Sequence, residues 1–311
     1  MAFLVGPTAC GKTDTAIRLA LRLNADIVSA DSVQIYEKLD IGSAKPTLAQ
    51  RAQVRHHLID ILPLTCTDFS VSAYQQIAET TIDRLHEQSR CALVTGGTGF
   101  YIRSLTDAMH FSYVSKDQAF RDAWEEREKA EAGCAHRALG EMDPASAEKL
   151  HPNDVQRVIR ALEVYHMTGT PMSRHRMEGR IEGKYRVAMV GLTMPRDLLY
   201  ERVNLRVDMM MKEGLVDEVE EILKEGFPSD LPALQTIGYK ETVAALQGEY
   251  TMQEAVERIK LATRHYAKRQ WTWFRRDERV QWFDVTMYAN QEALIEAILN
   301  DWAEKGLEET K

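Results

Sequence analysis

The sequence predicts an α/β fold, a parallel sheet core flanked by helices and split by a helical insertion. Three observations carry this. Short apolar runs alternate with helix-period stretches, a glycine-rich loop joins the first run to the first helix, and strand signals vanish over residues 111–184. With 311 residues, 44% hydrophobic and 28% charged, the chain can bury such a core, which excludes disordered, collagenous and disulfide-scaffold classes. No uncharged run approaches the roughly 18 apolar residues of a membrane helix, and the N-terminus lacks a signal-peptide order. A cytoplasmic protein without a membrane span is expected. Cys10, Cys66, Cys91 and Cys134 stand singly, so reduced thiols are expected rather than a zinc knuckle or a bridge framework.

Ala2-Phe3-Leu4-Val5 reads as a buried strand, and Asp14 to Leu23, with Ala16, Ile17, Ala20 and Leu21 at helical spacing, as the helix after it. Asp26 to Ala30 forms a second strand ending at Asp31. Tyr74, Ile77, Ala78, Ile82 and Leu85 mark an amphipathic helix, and Cys91 to Val94 a strand running into Gly96-Gly97. Gln118 to Ala132 and Asp154 to Thr168 are helical stretches of the insertion, which closes with the Gly- and Arg-rich connector Met177 to Lys184. Tyr185 to Thr193 resumes the sheet, and Pro195 opens a long helix in which Met209, Met210 and Met211 read as core filler. The expected division is therefore 1–110 and 185–311 as core, with 111–184 as insertion. In such sheets ligands bind at the carboxyl ends of the strands, so the loops after Val5, Ala30 and Thr95 are the informative ones.

The first of these loops, Gly6-Pro7-Thr8-Ala9-Cys10-Gly11-Lys12-Thr13, fits G-x-x-x-x-G-K-[ST] at every fixed position. Glycines let backbone N–H groups wrap a phosphate, the helix start adds partial positive charge, Lys12 neutralises terminal oxygens, and the Thr13 hydroxyl can hold Mg²⁺. The core is thus P-loop NTPase-like. An ordinary P-loop ATPase or GTPase adds a second strand ending in Asp, yet the strand at 91–94 ends in Thr95-Gly96-Gly97-Thr98. Asp31 is the strand-terminal acid. It suits a general base, and equally a turn or capping residue.

These residues, with four further blocks, resemble the bacterial-type tRNA dimethylallyltransferases, also called tRNA isopentenyltransferases. The resemblance spans nearly the whole chain. Its blocks are the P-loop; Asp31-Ser32-Val33-Gln34-Ile35-Tyr36 running through Gly42-Ser43-Ala44-Lys45-Pro46 to His56-His57; Gly96-Gly97-Thr98-Gly99-Phe100-Tyr101; His151-Pro152-Asn153-Asp154 through Arg157 and Arg160 to Tyr165; Gln235 to Lys240; and Arg269-Gln270-Trp271-Thr272-Trp273-Phe274-Arg275. It implies transfer of a five-carbon prenyl group from dimethylallyl diphosphate to N6 of the adenine 3′ of the anticodon in tRNA. Gly6, Pro7, Thr8, Ala9, Cys10, Gly11, Lys12, Thr13 and Arg206 would hold the diphosphate, with Mg²⁺ at Thr13, and Asp31 would take the N6 proton. Contacts to the anticodon stem-loop are implied for Asp31, Ser32, Val33, Gln34, Thr98 and Arg121, for Gln156, Arg157, Val158, Ile159 and Arg160, and for Gln235, Thr236, Ile237, Gly238, Tyr239 and Lys240. A monomer is expected. The first strand lies closer to Met1 than the family pattern implies, which suggests a few preceding residues, and no Cys follows Cys134 to build the C-terminal zinc finger of some eukaryotic members.

The net charge of −8 argues against indiscriminate nucleic-acid coating, while Arg258 to Arg279 holds eight Lys or Arg interleaved with Tyr266, Trp271, Trp273 and Phe274. Such a tract reads first as a solvated face that can also meet RNA phosphates, with Trp271, Trp273 and Phe274 packed inward and His56 and His57 as loop histidines. A small-molecule kinase using ATP and Asp31 is the main alternative. It leaves Gln235 to Lys240 and the Arg-aromatic tract without a role.

Overall fold

The structure, a computed structural model, describes residues 1–107, 116–175 and 183–306. The chain divides into a core unit, Met1–Thr106 with Tyr185–Lys311, and a second unit, Asp107–Lys184.

In the core unit β1 (Ala2–Val5) leads through the glycine-rich loop into α1 (Lys12–Arg22), followed by β2 (Ala25–Ser29), α2 (Leu48–Gln53), β3 (His56–His57), α3 (Val71–Glu87), β4 (Cys91–Thr95) and α4 (Gly99–Thr106). The second unit holds α5 (Gln118–Ala130), α6 (Cys134–Met142), α7 (Pro144–Ala147), α8 (Val155–Thr168) and α9 (Met172–His175), and no strand among its described residues. The core resumes with β5 (Ala188–Thr193), α10 (Arg196–Glu213), α11 (Leu215–Lys224), α12 (Tyr239–Leu246), α13 (Met252–Phe274), β6 (Val280–Asp284) and α14 (Gln291–Glu304).

All six strands pair in parallel in the order β3-β2-β4-β1-β5-β6. This is the expected P-loop type of α/β core. Alternation along β1 feeds both faces: Ala2 and Leu4 pack with Ile17, Val190, Ile298 and Trp302, while Phe3 and Val5 pack with Tyr74, Ile82, Tyr101 and Met189. α3 forms where Tyr74, Ala78, Ile82 and Leu85 recur on one stripe. Its Ser70 cap accepts the Ala73 N–H at 3.1 Å, and each large buried side chain of the stripe stabilises the fold by about 1.5–3 kcal/mol. Ile77, expected on that stripe, is partly exposed.

A third cluster joins Leu39, Val207, Leu215, Val219, Tyr239 and Ile259, so α10 to α13 pack together beside the sheet. The second unit has its own core of Ala135, Leu139, Val158, Ile159, Ala161 and Leu162.

Several boundaries differ from expectation. The helix expected over 118–132 ends at Ala130, and the strand expected from Tyr185 begins at Ala188. His56 and His57 are not loop residues but form the edge strand, paired with Ile27 and Val28. β6 and α14 had no expectation attached to them. The connector Met177 to Lys184 lies largely outside the described residues. No described helix is long and apolar enough to cross a membrane.

Candidate active site

A cleft of about 1110 Å³ opens at the carboxyl ends of the strands, lined by the loops after β1, β2 and β4 and by α10 and α13. The first loop is a backbone nest. Gly6, Ala9 and Gly11 carry φ values of 140°, 65° and 91°, the positive turns with which such a loop can aim backbone N–H groups at an anion at the start of α1. An alanine at such a φ is strained, and strain of that kind gathers at ligand-binding loops.

Lys12 arches over the nest and donates from Nζ to the Gly6 carbonyl at 3.0 Å and the Pro7 carbonyl at 2.7 Å. Arg206 reaches the same cleft from α10. Neither cation has a carboxylate partner among the described residues. Burial pushes both below their ordinary pKa values, and Asp31 is the nearby carboxylate that favours the charge of both. Two desolvated cations without an ion pair beside such a loop are suited to a polyphosphate. Burial pushes the Cys10 thiol up, so this loop residue stays protonated.

Asp31 stands two residues beyond β2. Its Oδ1 accepts the Val33 and Gln34 N–H groups at 2.9 and 3.3 Å, while Oδ2 makes no hydrogen bond among the described residues. One oxygen thus serves the turn, which leaves the other unengaged among the described residues. The loop carrying it is pinned by Thr98, whose Oγ1 accepts the Ser32 N–H at 3.0 Å and donates to Ser32 Oγ at 3.2 Å. Gln34 Nε2 donates to the Ser43 and Ala44 carbonyls, both at 3.2 Å, and Tyr74 donates to the Ser29 carbonyl at 3.0 Å.

The cleft also gathers Gln235, Thr236, Ile237 and Gly238. Tyr239 belongs to the core instead, fully buried with its hydroxyl donating to Glu218 at 2.6 Å, and Lys240 is exposed outside the lining. A side-chain contact of Tyr239 with RNA is thereby excluded, because the ring is spent on packing α11 and α12 together.

In the second unit, Val158 and Ile159 are likewise core residues, which excludes their side chains from RNA contact. Arg121 forms a two-point bond to Glu163, Nε to Oε1 at 2.9 Å and Nη2 to Oε2 at 2.6 Å, and Arg160 also bonds Oε2. Gln156 donates to Glu125 at 2.7 Å. Arg157 is exposed, with a looser contact to Asp154 at 3.3 Å.

Of the aromatic tract, Phe274 is buried and Trp273 half-buried against Phe100. Trp271 is 38% exposed with the Arg275 guanidinium 4.7 Å from its ring centroid, contrary to the inward packing expected of it.

Three residues that hold the site together were not singled out in the sequence. Glu218 accepts the N–H groups of Asp40 at 3.1 Å and Ile41 at 2.8 Å, fixing a loop of the cleft wall. Gln270 bridges α13 to the loops after β1 and β4, and Tyr266 lines the cleft one turn before it. Gln270 carried a usable signal: it is a polar side chain on the stripe formed by Ala267 and Phe274, where burial demands partners.

The Thr13 hydroxyl lines the cleft and makes no hydrogen bond among the described residues, leaving a hard oxygen donor available. No group of three His, Cys, Asp or Glu able to hold a metal occurs among the described residues. That donor set fits Mg²⁺ taken mainly by phosphate oxygens and water, the arrangement this ion favours.

Residues 34–277 match the IPP transferase family. The tRNA dimethylallyltransferase of Alkaliphilus oremlandii is 44% identical over 304 residues, 97% of this chain and 96% of that protein. The tRNA dimethylallyltransferase of Clostridioides difficile is 44% identical over 301 residues, 96% of each. The crystal structure of the full-length tRNA isopentenylpyrophosphate transferase of Bacillus halodurans superposes with a TM-score of 0.72 at 38% identity, covering 98% of this chain and 97% of that one. A eukaryotic dimethylallyltransferase captured acting on tRNA superposes with a TM-score of 0.83 at 26% identity, over 98% and 79% of the two chains.

Proposed function

This chain belongs to the IPP transferase family, and from that premise we propose that it is a tRNA dimethylallyltransferase. It moves the five-carbon group of dimethylallyl diphosphate to N6 of the adenine 3′ of the anticodon in tRNA and releases diphosphate. The observation that carries the reading is the pairing of Lys12 and Arg206, cations without carboxylate partners beside the nest, with Asp31, whose Oδ2 is left unbonded.

The chemistry follows from these groups. As the allylic C–O bond breaks, negative charge grows on the leaving diphosphate, and Lys12, Arg206 and the inward N–H groups of the nest stabilise it. Mg²⁺ held at the Thr13 hydroxyl would supply further neutralisation of the same oxygens. The adenine amine is a poor nucleophile because its lone pair is delocalised into the ring, so Asp31 Oδ2 accepts its proton as the N–C bond forms. Asp31 Oδ1 stays in the turn and fixes the carboxylate's direction.

The adenine must leave its stack to be reached, and an RNA loop permits this at low cost. We assign contacts with the anticodon stem-loop to Ser32, Val33, Gln34, Thr98 and the Gln235 to Gly238 segment in the core unit, and to Gln156, Arg157 and the donor edges of Arg121 and Arg160 in the second unit. The enzyme works as a monomer in the cytoplasm. The kinase alternative loses its basis, since the relatives are tRNA dimethylallyltransferases.

The test is incubation of the protein with Mg²⁺, dimethylallyl diphosphate and unmodified tRNA, followed by digestion and mass spectrometry of the nucleosides. An adenosine heavier by one five-carbon prenyl unit is expected. Its absence, in a preparation that transfers phosphate from ATP instead, would overturn the reading.

A further inference from the structure

Gln270 lies on α13, 5% exposed, and spends both ends of its amide on the backbone of two different loops. Its Oε1 accepts the Thr8 N–H of the phosphate nest at 2.8 Å, and its Nε2 donates to the Gly97 carbonyl at 3.1 Å. The two backbone partners fix the amide's orientation, because a flipped amide would set N–H against N–H and oxygen against oxygen. Gly97 is shaped around this contact: a Cβ there would stand 2.0 Å from Nε2.

The Tyr266 hydroxyl, one turn earlier on α13, lies beside the side chains of Gln270 and Thr98. Thr98 in turn holds the Ser32 N–H beside Asp31. A continuous connection thus runs from the nest through Gln270 to Gly97, and through the adjoining Thr98 to the loop of the base. Nothing in the transfer chemistry requires a buried amide here, and an apolar side chain would fill the same space on the stripe of Ala267 and Phe274.

We propose that Gln270, acting through Gly97 and Thr98 with the Tyr266 hydroxyl beside it, is a positioning residue that sets the separation between the diphosphate nest and Asp31, and hence the alignment of electrophile and base. The inference rests on the transferase reading above. A group that only aligns should act on the chemical step, since displacing reacting atoms by about 1 Å can cost about 10²-fold in rate while each substrate still binds its own loop.

Gln270→Glu separates alignment from simple packing. Its carboxylate keeps the acceptor for Thr8 but faces the Gly97 carbonyl with an oxygen; its protonated acid restores both bonds. The experiment measures single-turnover prenyl transfer per folded molecule for wild type, Gln270→Glu, Gln270→Met and Tyr266→Phe across pH, together with binding of dimethylallyl diphosphate and tRNA and the thermal midpoint. All three variants are expected to transfer about 10- to 100-fold more slowly at neutral pH, with both affinities within about three-fold of wild type. The rate of Gln270→Glu relative to wild type should recover as pH falls, whereas that of Gln270→Met should not.

Tyr266→Phe removes one hydroxyl only and decides the matter if the Gln270 variants fail to fold. Unchanged transfer per folded molecule with a lowered midpoint would make the bridge a packing feature and overturn the proposal. A raised KM for tRNA at unchanged maximal rate would overturn it in favour of direct RNA contact. Inactive wild type would overturn the transferase reading and this inference with it, while active wild type with unaffected variants overturns this inference alone.

Discussion

Asp31 divides its carboxylate between the chain and the cleft, and that division makes a clean variant possible. Asn at this position keeps an Oδ1 to accept the Val33 and Gln34 N–H groups, so the loop retains its shape, but it has no charge with which to take a proton. Asp31→Asn is expected to lower the transfer rate by about 10² or more with tRNA affinity within about three-fold, as read by single-turnover assay and filter binding. Transfer at the wild-type rate would reduce Asp31 to a turn residue. Asp31→Ala is the poorer test, since it releases two N–H groups and perturbs the Ser32 to Gln34 segment at the same time.

At the scale of elements, α5 and α8 are joined by one fully buried carboxylate. Burial opposes ionisation of Glu163, yet hydrogen bonds from Arg121, Arg160 and the Asp117 N–H outweigh it and hold the group down at about 2. A carboxylate depressed in the fold contributes stability that is present above its ordinary value of 4.5 and is lost as pH falls toward about 2. Glu163→Gln leaves two guanidiniums facing a neutral amide. A loss of about 3 kcal/mol at neutral pH is expected, at the low end for a broken buried pair because both arginines keep an exposed edge. Urea unfolding should show that deficit at pH 7 and a smaller one near pH 3; equal deficits at both would mean that the carboxylate's charge is not what joins the helices.

Elements also show what was legible in the sequence. β1, β2 and β4 were readable as short, almost continuously buried apolar runs, and α1 and α3 as stripes of helical period that begin after Gly11 and Ser70. β3 was not, since a two-residue edge strand has no period to read, and β6 hides an exposed Gln281 and half-buried Trp282 among its apolar residues. For the cleft, the residues of a local motif were readable: the nest, Lys12 and Asp31 lie in contiguous blocks. Gln270, Tyr266 and Glu218 were not, because their roles exist only once α11 and α13 are set against loops more than 160 residues earlier in the chain. Val158, Ile159 and Tyr239 show the converse: a motif block does not say which of its members turn their side chains inward.

For the whole molecule, a net charge of −8 must be reconciled with a polyanionic substrate. Long-range attraction to RNA is weak for such a chain, so affinity has to come from local cations not already paired with carboxylates. Arg258 and Lys260 are committed to Glu254 and to Asp208 and Glu257, respectively. Lys268 and Arg276 lie further along the same tract, exposed and without an ion pair among the described residues, and Arg275 stacks on the exposed Trp271. If this end of α13 meets the tRNA backbone, each neutralised phosphate releases counterions and adds about 0.7–0.9 to the slope of log affinity against log salt. The double variant Lys268→Ala with Arg276→Ala, made in the Asp31→Asn background to prevent turnover, should then lower that slope by about 1.5 and weaken modifiable and unrelated tRNAs alike. Filter binding over a series of KCl concentrations measures it. An unchanged slope would return the tract to a solvated face and leave the electrostatic attraction to the unpaired cations of the cleft.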